Sequence, residues 1–248
     1  MRPWVWQSSL AMIAVAGVAG ALILHARPLF FDDFAGTGLV TNEFAYHNPH
    51  DPRSVTSSRW VVTSGSLFRD HGTGWTGPPD SSAPDATSGN ATNSDVFRAV
   101  TRSSFDDVSV SLRFRVDAMA PRAGADWTGM HLFLRYRDPF TLYVVSLVRQ
   151  DGRVEVKKKT AGGASNGGTY YSLAGAAAAV TPGAWHRAEV SVRDEAGGVA
   201  IVVSIDGREV ARVRDDGVGG PPLTGSGKVG LRGDFTQFHV DDFTVSAA

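Results

Sequence analysis

Residues 130–159, MHLFLRYRDPFTLYVVSLVRQDGRVEVKKK, are the stretch on which the fold turns. Within it, residues 131–137, 142–149 and 153–159 each alternate in side-chain character with the period of two that a pleated strand imposes. Asp151-Gly152 is a two-residue hairpin signal. It pairs Gln150 with Arg153, which sets Ser146 opposite Lys157 and Leu147 opposite Val156. Pro139 is poorly placed as the second residue of a two-residue loop, so a four-residue loop from Arg137 to Phe140 is expected between the first two strands. That loop sets His131 opposite Ser146 and Met130 opposite Leu147. One face then collects Met130, Leu132, Leu134, Tyr136, Tyr143, Val145, Leu147, Val154 and Val156, and reads as core. The other collects His131, Arg135, Arg137, Ser146, Glu155, Lys157 and Lys159 among apolar residues. An odd loop would carry charges into the core, so the even register is expected, with His131, Ser146 and Lys157 in one row.

The rest of the chain continues in the same manner. Short alternating segments near 29–34, 60–69, 95–100, 107–117, 129–137, 141–149, 153–159, 185–193, 199–206, 208–214, 227–232 and 236–245 are separated by Gly, Pro, Asp and Asn, with no amphipathic helix of useful length. So many strands imply an all-β domain of two packed sheets over residues 29–248. Asp206-Gly207 marks another tight hairpin, and residues 174–179 read as loop or a single helical turn. The stretch from His71 to Ser94 is a long polar loop carrying Trp75, of the length that is functional or disordered. Residues 1–26 hold Arg2 and then an apolar run through Leu24, which reads as a signal peptide or a membrane anchor. The folded part is therefore expected outside the cytoplasm, secreted or held at the membrane.

Composition narrows the chemistry. Formal charge of −1 over 248 residues argues against a dedicated nucleic-acid binder, so any basic patch must be local. The absence of cysteine removes disulfides, thiolate metal sites and cysteine nucleophiles. None of the glutamates at 43, 155, 189, 195 and 209 begins a Glu-x-Asp-x-Glu run. The basic face offers only Glu155, whereas a glycosidase needs two carboxyl groups flanking the bond. His47, His50 and Asp51 lie among prolines in an irregular segment where spacing says nothing about metal binding.

Pro182-Gly183-Ala184-Trp185-His186 ahead of an alternating strand, Ile205-Asp206-Gly207, Leu134-Arg135-Tyr136-Arg137-Asp138, Phe31-Asp32-Asp33-Phe34 and Val240-Asp241-Asp242-Phe243 together resemble the concanavalin A-like lectin/glucanase (laminin G-like) superfamily. The resemblance covers most of the chain after residue 29 and implies a jelly-roll β-sandwich of two antiparallel sheets. Val154 to Lys159 and Asn166 to Tyr171 look most like secreted bacterial jelly-roll polysaccharide lyases of the glucuronan lyase kind. Arg153-x-Glu155-x-Lys157 and Gln237-x-His239 depart from the alginate-lyase motifs they approach, the first by Lys for Arg and the second by its place on the last strand.

A lyase acting on a uronic acid needs a cation or amide at the carboxylate and a base for the C5 proton. The expected assignments are His131 or Tyr171 for proton transfer, with Arg113, Arg135, Ser146 and Lys157 binding an acidic polysaccharide; the alternative is a carbohydrate-binding or adhesive module without chemistry. The superfamily also implies a structural Ca2+ on the paired terminal strands, held by Asp33 and Asp241. A monomer is expected, with no nucleic-acid partner.

Overall fold

The computed structural model describes residues 27–77, 96–120, 123–178 and 180–248, so the expected signal or anchor at 1–26 and most of the 71–94 loop lie outside the described residues. In chain order the elements are β1 (Phe30–Asp32), β2 (Gly38–Asn42), α1 (Phe44–His47), β3 (Trp60–Ser64), β4 (Ser66–Asp70), β5 (Thr73–Trp75), β6 (Val96–Thr101), β7 (Val108–Met119), β8 (Gly129–Asp138), β9 (Thr141–Arg149), β10 (Arg153–Ser165), β11 (Gly168–Ala177), β12 (His186–Glu195), β13 (Gly198–Ile205), β14 (Arg208–Asp215), β15 (Lys228–Asp234) and β16 (Thr236–Ala247). The expected all-β sandwich is present. A nine-stranded sheet runs β14-β13-β12-β7-β16-β5-β4-β2 with β1 added beside β16, and a seven-stranded sheet runs β11-β10-β9-β8-β15-β6-β3. The terminal strands pair as expected, Asp32 facing Phe243. Among the described residues no helix is long and apolar enough to cross a membrane.

The two sheets bury a shared core that includes Trp60, Leu112, Phe114, Leu132, Leu134, Tyr143, Val145, Val156, Phe238 and Phe243. Each such side chain, fully removed from water, contributes about 1.5–3 kcal/mol before entropy is counted. Polar links also cross this core. Lys158 on β10 and Asp215 at the end of β14 are both wholly buried, with Nζ donating to Oδ2 at 2.8 Å, and the Tyr143 hydroxyl donates to the same carboxylate at 2.6 Å.

The register of β8, β9 and β10 follows the sequence expectation in part. His131 faces Ser146, but Met130 faces Val148, because a bulge places Leu147 as an extra residue between the two pairs. On the other side Glu155, not Lys157, faces Ser146, and Lys157 faces Val144. The cause is the turn: Gly152, at φ +71°, donates its N–H to the Arg149 carbonyl at 3.0 Å, so the turn is centred on Gln150-Asp151, one residue earlier than expected. A slip of two keeps Glu155, Lys157 and Lys159 on their expected face, while the bulge at Leu147 carries Val148 into the core. The Asp206-Gly207 hairpin does form, with Ile205 facing Arg208.

Arg135 is where alternation fails. It sits at φ +50° in a bulge, so Tyr136 turns onto the outer face of the sheet and stacks on Phe133 at 5.7 Å between ring centroids, instead of joining the core. Gly227 lets the neighbouring chain pass this bulge, since a Cβ there would come within 2.5 Å of the Arg135 backbone. Two further expectations are corrected. Trp75 belongs to strand β5 and not to a loop, and Ala174 and Ala176 extend β11 by pairing with Val156 and Val154 on β10.

Candidate functional site

The outer face of the seven-stranded sheet carries the site. Register aligns Arg98 on β6, Arg232 on β15, His131 on β8, Ser146 on β9 and Glu155 on β10 in one row across five adjacent strands. Arg232 Nη1 lies 3.4 Å from the Tyr170 hydroxyl on β11, although three strands separate their backbones. In a flat sheet that separation would be about 19 Å. The sheet therefore curls towards its outer side, and the face is concave. Its floor is apolar, formed by Val100, Phe133, Tyr136, Leu142 and Val144 with Val61 and Tyr170 packed on them.

His131 lies below the surface of this cup, 4% exposed. Its Nδ1 is 2.9 Å from Ser146 Oγ, and its Nε2 is 3.2 Å from Asp234 Oδ2, within ion-pair distance but off the hydrogen-bonding direction. Burial pushes the imidazole down from its ordinary value, with Asp234 opposing. Asp234 is itself buried, yet the forked Arg232 guanidinium at 2.8–2.9 Å, with His131, holds its carboxyl well below the usual range against the cost of burial. Ser146, His131, Asp234 and Arg232 thus tie β9, β8 and β15 together. Both imidazole nitrogens face protein groups, so His131 offers none to a ligand in this arrangement.

Nearer the edge, burial raises the Glu155 carboxyl but Lys157 at 2.9 Å and Ser172 at 2.8 Å outweigh it, and Arg149 donates to the same carboxylate. Lys159 is buried against Gly168, donates to the Pro139 carbonyl at 3.0 Å and lies over the rings of Tyr170 and Phe140, 5.0 and 5.5 Å from their centroids. Burial, with Arg232 and Arg98 nearby, pulls its amine down to about 8.

The structure therefore brings together His131, Ser146 and, two residues along, Lys157, and separates the other expected residues. Tyr171 faces Lys158 on the core-side parity of β11 and packs on Gly219; Tyr170, one residue earlier, is the tyrosine on the concave face. Arg113 is on the outer side of the opposite sheet, paired with Asp241 at 3.1 Å and lying over Trp185. Arg135 is turned by its bulge into the gap between the sheets, where its guanidinium meets Asp106 at 3.1 Å, Asp107 at 2.7 Å and Asp194 at 3.1 Å. Those aspartates form the one metal-like acidic group among the described residues, and a guanidinium already fills it.

Asp33 and Asp241 do approach one another. Burial first, then the charges of Asp242 and Asp33, raise the Asp241 carboxyl, with Arg113 and the Asp242 N–H opposing. Asp241 Oδ2 accepts from Arg113 and Oδ1 from the Asp242 N–H, while Asp33 Oδ1 accepts from the Ala35 N–H. A calcium ion, which takes six to eight oxygens, would have to displace Arg113 there.

Arg98, Arg232, Lys159 and Tyr170 were not among the expected site residues. Neither arginine stood in a motif: Arg232 closed the expected strand 227–232, and Arg98 lay among apolar residues inside the expected strand 95–100.

No protein-family model matches the chain, and no curated protein matches it by sequence. Solved structures do match by fold. The carbohydrate-binding module CBM66 from Bacillus subtilis aligns with 76% of this chain and 95% of its own at 12% identity and a TM-score of 0.51. A Bacillus subtilis protein of unknown function with a galectin-like fold aligns with 88% of this chain and 98% of its own, at 16% identity and a TM-score of 0.52. LamAcat from Zobellia galactanivorans aligns with 88% and 97% at 10% identity and a TM-score of 0.53. At these identities the similarity is one of fold, a galectin-like jelly roll.

Proposed function

We propose that this chain is an exported polysaccharide-binding protein that holds an acidic polymer on the concave face of its seven-stranded sheet. The observation that carries the reading is the local charge of that face. On a chain whose formal charge is −1, Arg98, Arg232, Lys157 and Lys159 gather around Tyr170 and Tyr136 against the carboxylates Glu155 and Asp234. Such a cup offers apolar ring surface to the sugar and cations to its acid groups. The fold is shared with a protein described as a carbohydrate-binding module, which supports the same reading.

The test is titration of the purified protein with polyglucuronate, alginate and a neutral glucan by calorimetry. Acidic polymers should bind and the glucan should bind more weakly. Absence of binding to all of them would sink the proposal.

A second reading, β-elimination of a uronate polymer, is favoured by one observation. Lys159, with an amine pulled down to about 8, stands over Tyr170, whose hydroxyl meets Arg232, so a proton-transfer group and a cation for the carboxylate are neighbours. Tyr170 replaces Tyr171 in this role. Formation of unsaturated product, followed by its absorbance, separates lyase from binder; a flat trace with every uronate polymer leaves binding alone. A structural calcium at Asp33 and Asp241 belongs to the same proposal, with a chelator lowering the melting temperature and Arg113→Gln strengthening the calcium response. No response to calcium or chelator in either protein would remove it.

A further inference from the structure

We infer that Arg98 and Arg232 form a paired-guanidinium subsite for one oxyanion, the carboxylate or sulfate of the polymer, with the Tyr170 hydroxyl at its edge. This rests on the polysaccharide reading above and adds which residues read the charge.

The two arginines are Cα partners on adjacent antiparallel strands and face the same way. Like charges directly opposite one another destabilise a sheet. Among the described residues one carboxylate, Asp234, serves the pair, and it is committed to the fork of Arg232 and to His131. Arg98 is half-buried and makes no hydrogen bond or ion pair among the described residues. Its charge is disfavoured by burial first and then by Arg232, and relieved only at a distance by Tyr136, Asp234 and Tyr170. A guanidinium has five donors and no acceptor, and among the described residues none of this one's donors is taken and no carboxylate pairs with it.

The other cations of the face differ. Lys157 and Arg149 already share Glu155. Arg232 has Asp234. Lys159 donates to the Pro139 carbonyl and lies over two rings. An arriving oxyanion therefore gains most at Arg98, where it can accept a forked pair of hydrogen bonds and cancel the repulsion between the two arginines. The Tyr170 hydroxyl, which now meets Arg232 at 3.4 Å, is placed to donate to the same anion. Paired guanidinium groups fit planar carboxylate and tetrahedral sulfate alike, so the ligand class is an acidic glycan, with uronate and sulfate ester as its two sources.

The experiment compares wild type, Arg98→Gln, Arg98→Lys and Arg212→Gln by calorimetric titration with polyglucuronate, a sulfated glycan and a neutral glucan. Wild type should favour one acidic polymer over the glucan, and the preferred polymer identifies the anion. Arg98→Gln should lose roughly tenfold or more in affinity for that polymer while glucan binding stays unchanged. Arg98→Lys should fall between, having charge without the fork, and serves if the Gln variant does not fold. Arg212→Gln, exposed on β14 of the opposite sheet and paired with Glu209, should behave as wild type. Equal affinity of Arg98→Gln, or of Arg98→Lys where it is the variant available, and wild type for the acidic polymer overturns the subsite but leaves polymer binding standing. Equal affinity of wild type for acidic and neutral polymers does the same. Wild type that binds none of them overturns both.

Discussion

Lys158 Nζ and Asp215 Oδ2 meet at 2.8 Å with both side chains wholly enclosed, a charge pair lying between the two sheets of the sandwich. Two charges out of water are held only while each answers the other. Lys158→Met should therefore destabilise by about 3–5 kcal/mol, because Asp215 keeps its charge in an apolar surround. Tyr143 and the N–H groups of Gly217 and Val218 would remain as its partners. Adding Asp215→Leu to the first change should recover much of that loss. Urea unfolding of the two variants measures both steps, and a double variant less stable than the single one would contradict the account.

Arg135 predicts a switch of cation. Without its guanidinium, Asp106, Asp107 and Asp194, whose oxygens lie within 4.8 Å of one another, would repel. Arg135→Ala should lose about 1–3 kcal/mol, less than a fully buried pair because the aspartates keep access to water, and millimolar calcium should restore part of it, while wild type should show no calcium response arising from this cluster. Thermal melts with and without calcium decide the matter.

Lys159 gives a pH dependence with a definite sign. Its amine is held at about 8 in the fold against 10.5 as an ordinary lysine, burial being the main cause. Between those values the unfolded chain binds more protons, so this group's contribution to stability rises with pH from about 8 to 10.5 and is flat outside that window. The difference in unfolding free energy between wild type and Lys159→Met, measured by urea titration at intervals from pH 7 to 11, should therefore drift in favour of wild type. A constant difference would show that the ammonium is solvated.

The two adjacent tyrosines separate face from face. Tyr170→Phe should weaken binding of an acidic polymer by a few-fold, the value of one neutral hydrogen bond of about 0.5–1.5 kcal/mol. Tyr171→Phe should leave it alone, since that ring packs against Gly219 on the other side of the sheet. Calorimetric titration of both variants checks this, and an effect confined to Tyr171→Phe would reverse the orientation of β11.

What was legible in the sequence was local. Alternation placed Leu132, Leu134, Tyr143, Val145 and Val156 in the core and His131, Ser146 and Lys157 on the opposite face, and the structure keeps all of them there. Asp206-Gly207 encoded its own hairpin, because two residues that accept positive φ suffice to close it. Asp151-Gly152 carries the same signal, yet the turn that forms sits one residue earlier, where the amide of Gly152 returns to the carbonyl of Arg149.

The sequence by itself therefore determined the all-β class, the strands of the sandwich and which side of most of them is apolar, since a period of two is a property of each strand alone. Tertiary structure alone decided which residues share the cup. The bulge at Arg135 depends on the passage of Gly227 and on the three aspartates that receive its guanidinium. The meeting of Arg232 with Tyr170, and of Arg98 with Arg232, depends on strand order and on the curl of the sheet, which bring residues 62 and 134 positions apart in the chain to one place. No local pattern encodes those contacts, because they are formed by strands that become neighbours only when the sandwich closes.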